Sequence, residues 1–137
     1  MIPFHVDLAP GVPIYEQVVY AATKSIISGQ LRPGDEFLSV RALSKQLKIN
    51  PNTAHKILTC LAEAGLLEIR LGAAPVVAKR PTVSKSEKTH LLEHQFEQLV
   101  VESKRLGIDL SDVQDAIAKH WNRLTSKRDT AKGGRNE

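Results

Sequence analysis

From Pro13 onward the apolar residues recur at helical spacing, not in strand-like alternation. Ile14, Val18, Ala21, Ala22 and Ile26 fall on one face of a helix that Pro13 can open and Gly29 can close, predicting helix one over about 14–28. Leu31-Arg-Pro-Gly-Asp35 reads as a turn on its Pro-Gly pair, and Ser39 is a good N-cap for a short helix that buries Val40, Leu43 and Leu47. After a break at Lys48-Ile49, Asn50 can cap a third helix with Pro51 in its first position, and Gly65 closes it. Residues 1–13, with three prolines and a glycine, show no period and read as an extended arm.

Two short helices separated by a few residues make a helix-turn-helix. Leu66–Arg70 and Val76–Lys79 then suit two short strands around Leu71-Gly-Ala-Ala-Pro75, a hairpin directly after the third helix. Two further helices follow, about 87–106 and 111–126, the first opened by a Ser84-Lys-Ser-Glu87 capping box, the two divided at Gly107 and the second restarted at Ser111. The fold class expected is mainly α with a small β-hairpin: a winged helix-turn-helix domain over 1–80, a linker over 81–86 and a short C-terminal helical dimerisation arm over 87–127. Residues 128–137, small and charged, are expected to fray.

Composition narrows the functional classes. Aromatic residues make up 4% of the chain, so an aliphatic core is expected and a large pocket lined by stacking rings is not. Nineteen Lys and Arg against fifteen Asp and Glu permit an anionic partner without demanding one. No apolar run approaches the ~18 residues of a membrane span, no secretory signal is evident, and a single cysteine excludes an intrachain disulfide. A cytoplasmic protein with no membrane partner is expected.

The third helix can be tested as a reader of DNA, because at ~100° per residue its faces are fixed. With Ala54 as origin, Ile57, Leu58 and Leu61 cluster beside it as a core stripe. Asn52, Lys56, Thr59 and Glu63 lie opposite, with Thr53 and His55 on the flanks. Short polar groups and one cation are what base edges and phosphates accept. The solvated face of any amphipathic helix has a similar inventory. The conjunction with an Asn-Pro start, a preceding short helix, Arg41 near that helix's start and a hairpin immediately after favours DNA.

The ordered elements Pro13-Ile-Tyr-Glu-Gln17, Ser28-Gly-Gln-Leu-Arg-Pro-Gly-Asp35, Ser39-Val-Arg41, Asn50-Pro-Asn-Thr53 and Leu61-Ala-Glu-Ala-Gly-Leu66 run over about half the chain. In them the sequence resembles the GntR family of bacterial regulators, and its Asn-Pro-Asn-Thr start and brief helical C-terminal part resemble the YtrA-like subfamily. The resemblance implies a sequence-specific DNA-binding regulator, a homodimeric repressor of an operon such as one for an ABC-type transporter. It also implies DNA contacts by Arg41, Asn52, Thr53 and Lys56. Asn50, His55 and Thr59 complete the candidate set on the third helix. The family's wing usually carries Gly-x-Gly-Thr where this chain has Gly72-Ala-Ala-Pro75, so Arg70 and Lys79 are the wing's candidates for phosphate contact. His55 stands where many relatives have arginine or serine.

In the arm, Leu92, Phe96, Leu99, Ser103 and Leu106 recur at spacings of four and three, and Leu110, Val113, Ile117, Trp121 and Leu124 repeat the pattern. Two such seams are not both shielded by folding on each other, so a second copy of the chain is the expected partner, with packing back on the head as the alternative. His90 and His94, one turn apart with Glu97 nearby, are a weak metal candidate against a solvated pair. Cys60, on the edge of the third helix, reads as an inert thiol more readily than a redox switch. No cofactor is expected, and no nucleophile, phosphate loop or metal cluster suggests an enzyme. A small-molecule effector, if one exists, would sit between helices or at the dimer interface. A winged domain used as a protein-docking adaptor is the rival from another class.

Overall fold

The computed structural model describes residues 3–79 and 83–125. They divide into two units, one within residues 3–79 and one spanning Val83–Thr125.

In the first unit, helix α1 (Ile14–Ile27) starts behind Pro13 and buries Val18, Ala21, Ala22 and Ser25. Helix α2 (Val40–Leu47) is capped by Ser39, whose Oγ accepts the Ala42 N–H at 3.1 Å, and it buries Leu43. Its end is unusual. Lys48 closes it in the left-handed region at φ 56°, the sole non-glycine at positive φ among the described residues. The Ser44 hydroxyl donates to the Ile49 carbonyl at 2.7 Å and the Ile49 N–H donates to the Ser44 carbonyl at 3.1 Å, so both sides of the turn are clamped.

Helix α3 (Pro51–Glu63) uses both devices its sequence announces. Asn50 Oδ1 accepts the Asn52 N–H at 2.7 Å, and Pro51 occupies the first turn, where a missing N–H costs nothing. Ala54, Ile57, Leu58 and Leu61 are buried against α1 and α2. At the far end Gly65, at φ 77°, lets the Leu66 N–H reach back to the Leu61 carbonyl at 2.9 Å, which turns the chain into the hairpin.

Strands β1 (Leu67–Glu68) and β2 (Val76–Val77) pair antiparallel, Leu67 opposite Val77 and Glu68 opposite Val76. The ladder is shorter than the runs 66–70 and 76–79 expected from sequence. Continuing the register would bring Ile69 opposite Pro75, whose carbonyl faces away from β1 and accepts the Phe37 N–H. The stretch read as a simple turn contributes more than expected. Glu36 bridges to Val76, Gly34 N–H donates to Val77 O, Val77 N–H to Asp35 O, and Phe37 N–H to Pro75 O, at 2.7–2.8 Å. β2 is therefore held on both sides.

The core is aliphatic apart from Phe4 and Phe37, which stack with centroids 5.6 Å apart. The described residues before Pro13, read from sequence as an extended arm, form no helix or strand, and the arm is packed on the head. Phe4 is buried in the core, and the Gln17 side chain accepts the Ala9 N–H while donating to the Ala9 and Val12 carbonyls at 2.7–2.9 Å.

The second unit begins with α4 (Lys85–Thr89), capped by Ser84, whose Oγ accepts the Glu87 N–H at 3.1 Å and donates to its carboxylate. It runs through a π-helical stretch, His90–Gln95, into α5 (Phe96–Arg105). Gly107 ends α5, and α6 (Leu110–Arg123) starts from Asp109, two residues before the Ser111 restart read from sequence. Asp109 caps through its backbone: its carbonyl accepts the Val113 N–H, while its side chain makes no capping bond. No residue of this unit is buried. No described helix is long and apolar enough to cross a membrane. The tail beyond Thr125, like the linker residues 80–82, lies outside the described residues.

Candidate nucleic-acid interface

The face of α3 opposite its buried stripe carries Asn52, His55, Lys56 and Thr59 in the open, with Thr53 half-buried on the flank. Arg41 is exposed in the first turn of α2. These six belong to one surface in the sense that α2 and α3 pack on each other and none of them faces the core.

Three placements differ from a simple list of free contacts. Asn50 is exposed, but its oxygen is already committed to capping α3, leaving its amide N–H groups as the available chemistry. Lys56 is exposed, yet its ammonium lies over the Tyr15 ring, 3.8 Å from the centroid, a cation–π contact that links α3 to the start of α1. Arg70 and Lys79 are exposed on the wing, Arg70 in the connection between the two strands and Lys79, whose stem passes Gly34, just after β2. The same connection exposes apolar side chains on either side of Arg70: Leu71 is fully exposed and Ile69 largely so.

A cleft of about 450 Å³ opens where α1 begins and the α2–α3 turn passes, lined by Ile14, Tyr15, Lys48, Ile49, Asn50, Thr53 and Lys56. Tyr15 and Lys48 were not among the residues nominated from sequence. Tyr15 was hidden in the opening turn of an ordinary amphipathic helix. Lys48 sat in a stretch read only as a break, and a lysine at a helix end where glycine is usual was the available signal.

In the second unit the nominated seam is open to solvent or half-covered. Leu92, Phe96, Leu99, Leu106, Ile117 and Trp121 are exposed, Trp121 by 72%, while Val113 and Leu124 are half-buried. Leu91, Val100, Val101 and Ile108 are exposed apolar residues that the four-and-three spacing passed over, and Leu110, which opened the second seam, is exposed too. The π-helical stretch adds a residue to one turn, so a strict α-helical period misplaces what stands on either side of it. His90 and His94 lie in that stretch with ring centroids 4.9 Å apart, and among the described residues no group of three His, Cys, Asp or Glu side chains is placed to hold a metal ion. Cys60 is half-buried on the flank of α3. Arg105 hydrogen-bonds Glu102 and holds its carboxyl below the usual carboxylate value.

Residues 14–77 match the family described as bacterial regulatory proteins, gntR family. The reading head belongs to the GntR family. GntR regulators bind DNA and control transcription rather than catalyse reactions, so the exposed face of α3 belongs to a DNA-binding regulator. The HTH-type transcriptional repressor YtrA of Bacillus subtilis (strain 168) is 27% identical over 113 residues, covering 82% of this chain and 87% of that protein. That coverage runs beyond the GntR head and supports the YtrA-like subfamily. Two solved structures share the fold. A transcriptional antiterminator from Listeria monocytogenes EGD-e matches with a TM-score of 0.77 at 20% identity, over 88% of this chain and 91% of that one. A GntR family transcriptional regulator from Listeria monocytogenes matches with a TM-score of 0.62 at 24% identity, over 82% and 98%.

Proposed function

We propose that this GntR regulator is a cytoplasmic homodimeric repressor that reads a palindromic operator with α3 in the major groove. The observation that carries the reading is the α3 face itself. Asn52, His55, Lys56 and Thr59 are solvent-exposed while Ala54, Ile57 and Leu61 beneath them have no exposure, so the helix is seated by its buried stripe, and apart from the Lys56 contact with Tyr15 these polar side chains make no hydrogen bond or ion pair among the described residues. Asn52 and Thr53, at the helix start, are the base-edge readers; Arg41, Lys56, Arg70 and Lys79 neutralise phosphate. Residues 87–127 join two heads through Leu92, Phe96, Leu99, Leu106, Val113, Ile117, Trp121 and Leu124. A two-fold dimer demands a two-fold site. The likeness to the YtrA repressor supports repression, and the resemblance to the YtrA-like subfamily implies an operon such as one for an ABC-type transporter as target. A small-molecule effector would act between helices or at the dimer interface.

The test begins with recovery of a bound duplex from a random library and titration of the full chain against it across salt concentrations. Affinity is expected to fall steeply with salt, by a slope of ~0.9 per neutralised phosphate. Asn52→Ala and Lys56→Ala should each weaken binding with an unchanged circular-dichroism spectrum. An affinity indifferent to salt, or both variants binding as the parent does, would overturn the reading and leave the winged head as a protein-docking surface.

A further inference from the structure

We propose that the cleft at the α2–α3 turn is a phosphate seat, in which Lys48 and Lys56, backed by Tyr15, bind one backbone phosphodiester of the duplex that α3 reads. The proposal rests on the reading of α3 as the DNA-contacting helix and adds Lys48 and Tyr15 to its surface. The charge pattern is one-sided. Two lysines line the cleft, together with Tyr15, Asn50 and Thr53, and no acidic residue is among its lining residues. The ion pairs of the described residues are His5 with Asp7 and Arg105 with Glu102, so neither lysine has an acidic partner within 4 Å among the described residues. Like charges lining one cleft without a counter-ion favour an anion there.

The backbone supports the assignment of Lys48. The turn requires positive φ at this position, where glycine fits without penalty, yet the residue is a lysine at φ 56°. The cation–π contact keeps Lys56 at the cleft wall instead of trailing in solvent, which reduces the side-chain freedom lost on binding. The remaining wall distinguishes a diester from a bare phosphate ion. Ile14, Ile49 and the Tyr15 ring offer apolar surface to a deoxyribose, and about 450 Å³ exceeds what one phosphate group needs. The cleft also shares Asn50, Thr53 and Lys56 with the reading face, so a strand whose bases meet Asn52 passes beside it.

The experiment compares Lys48→Gln and Lys48→Gly in the full chain on two probes, the selected duplex and an unselected duplex of equal length. A lost phosphate contact reduces the slope of log affinity against log salt by about 0.9, and weakens both probes by the same factor, roughly fivefold near 0.15 M salt. Lys48→Gly should lose as much as Lys48→Gln while melting no lower than the parent, which separates lost charge from lost fold. The seat is refuted if both variants keep the parent's slope and affinity while Asn52→Ala still loses the selected duplex. That result would leave the reading of α3 intact, whereas a parent that binds neither duplex would remove both. Inorganic phosphate provides the other source of the same chemistry: at matched ionic strength it should displace duplex no better than chloride does. Stronger displacement, abolished by Lys48→Gln, would place a free phosphate ligand there and overturn the diester assignment.

Discussion

The head and the arm are both built from helices with apolar residues at three-and-four spacing, yet they treat those residues in opposite ways. In the head, Val18, Ala22, Leu43, Ala54, Ile57 and Leu61 have no exposure. In the arm no residue is buried, and Trp121 and Leu110 are exposed by 72% and 70%. Periodicity reports that a helix has an apolar face; it does not report who covers it. The head's face is covered by its own neighbours within three helices and a hairpin. The arm's second helix, α6, has fourteen residues, near the length at which an isolated helix is marginal in water, and the longer run from Lys85 to Arg105 is interrupted by its π-helical stretch. A buried leucine contributes roughly 1.5–3 kcal/mol, which a partner on the arm's apolar face would supply. We attribute that partner role to a second copy.

The comparison breaks most sharply at Leu61. Leu61→Ala should destabilise the head by about 3 kcal/mol, through lost burial and the cavity left behind. The loss should not depend on protein concentration, because Leu61 is covered by its own chain. Denaturant melts at two concentrations tenfold apart would check this, and a concentration-dependent loss would mean the head is not an independent folding unit.

The arm should behave the other way. Phe96→Glu with Trp121→Glu places charge in the proposed interface and should give a monomer by sedimentation. Operator affinity should drop ~10²-fold, because the second head then binds as a separate molecule. A double variant that stays dimeric, or a monomer that binds equally well, would locate the interface elsewhere. A chain ending near Val83 should act in the same direction while remaining folded.

The head was legible where a single side chain decides local structure. Ser39, Asn50, Pro51 and Gly65 marked helix ends, and each cap forms as its residue type predicts. What escaped the sequence was long-range. Phe4 carries no periodic partner, and its place against Phe37 is visible only once 33–37 has folded alongside β2. The cleft is similar, since Tyr15 and Lys56 lie on different helices and meet only when α1 packs on α3. In the arm, the π-helical stretch shifts a register that was read at constant period, which is why Leu91 and Val100 were passed over. Sequence had no signal for that extra residue.

The smallest predicted effect concerns Asn50, where a capping role and a DNA contact compete as explanations for one residue. Its Oδ1 accepts the Asn52 N–H at 2.7 Å, satisfying a donor at the start of α3 that the helix itself leaves without a partner. Asn50→Ala should therefore lower stability by about 1 kcal/mol even without DNA. Asn50→Asp keeps the capping oxygen, and adds a negative charge that is favourable at a helix N-terminus but lies beside Lys48 and the proposed phosphate seat. The two variants then separate the roles. Asn50→Asp should keep the parent's stability and weaken DNA binding, whereas Asn50→Ala should lose stability and weaken binding less. Thermal melts together with duplex titrations would measure both. If Asn50→Asp bound duplex as tightly as the parent, Asn50 would be a structural cap and no part of the interface, and the comparison between a self-covered head and its exposed reading face would lose one of its residues.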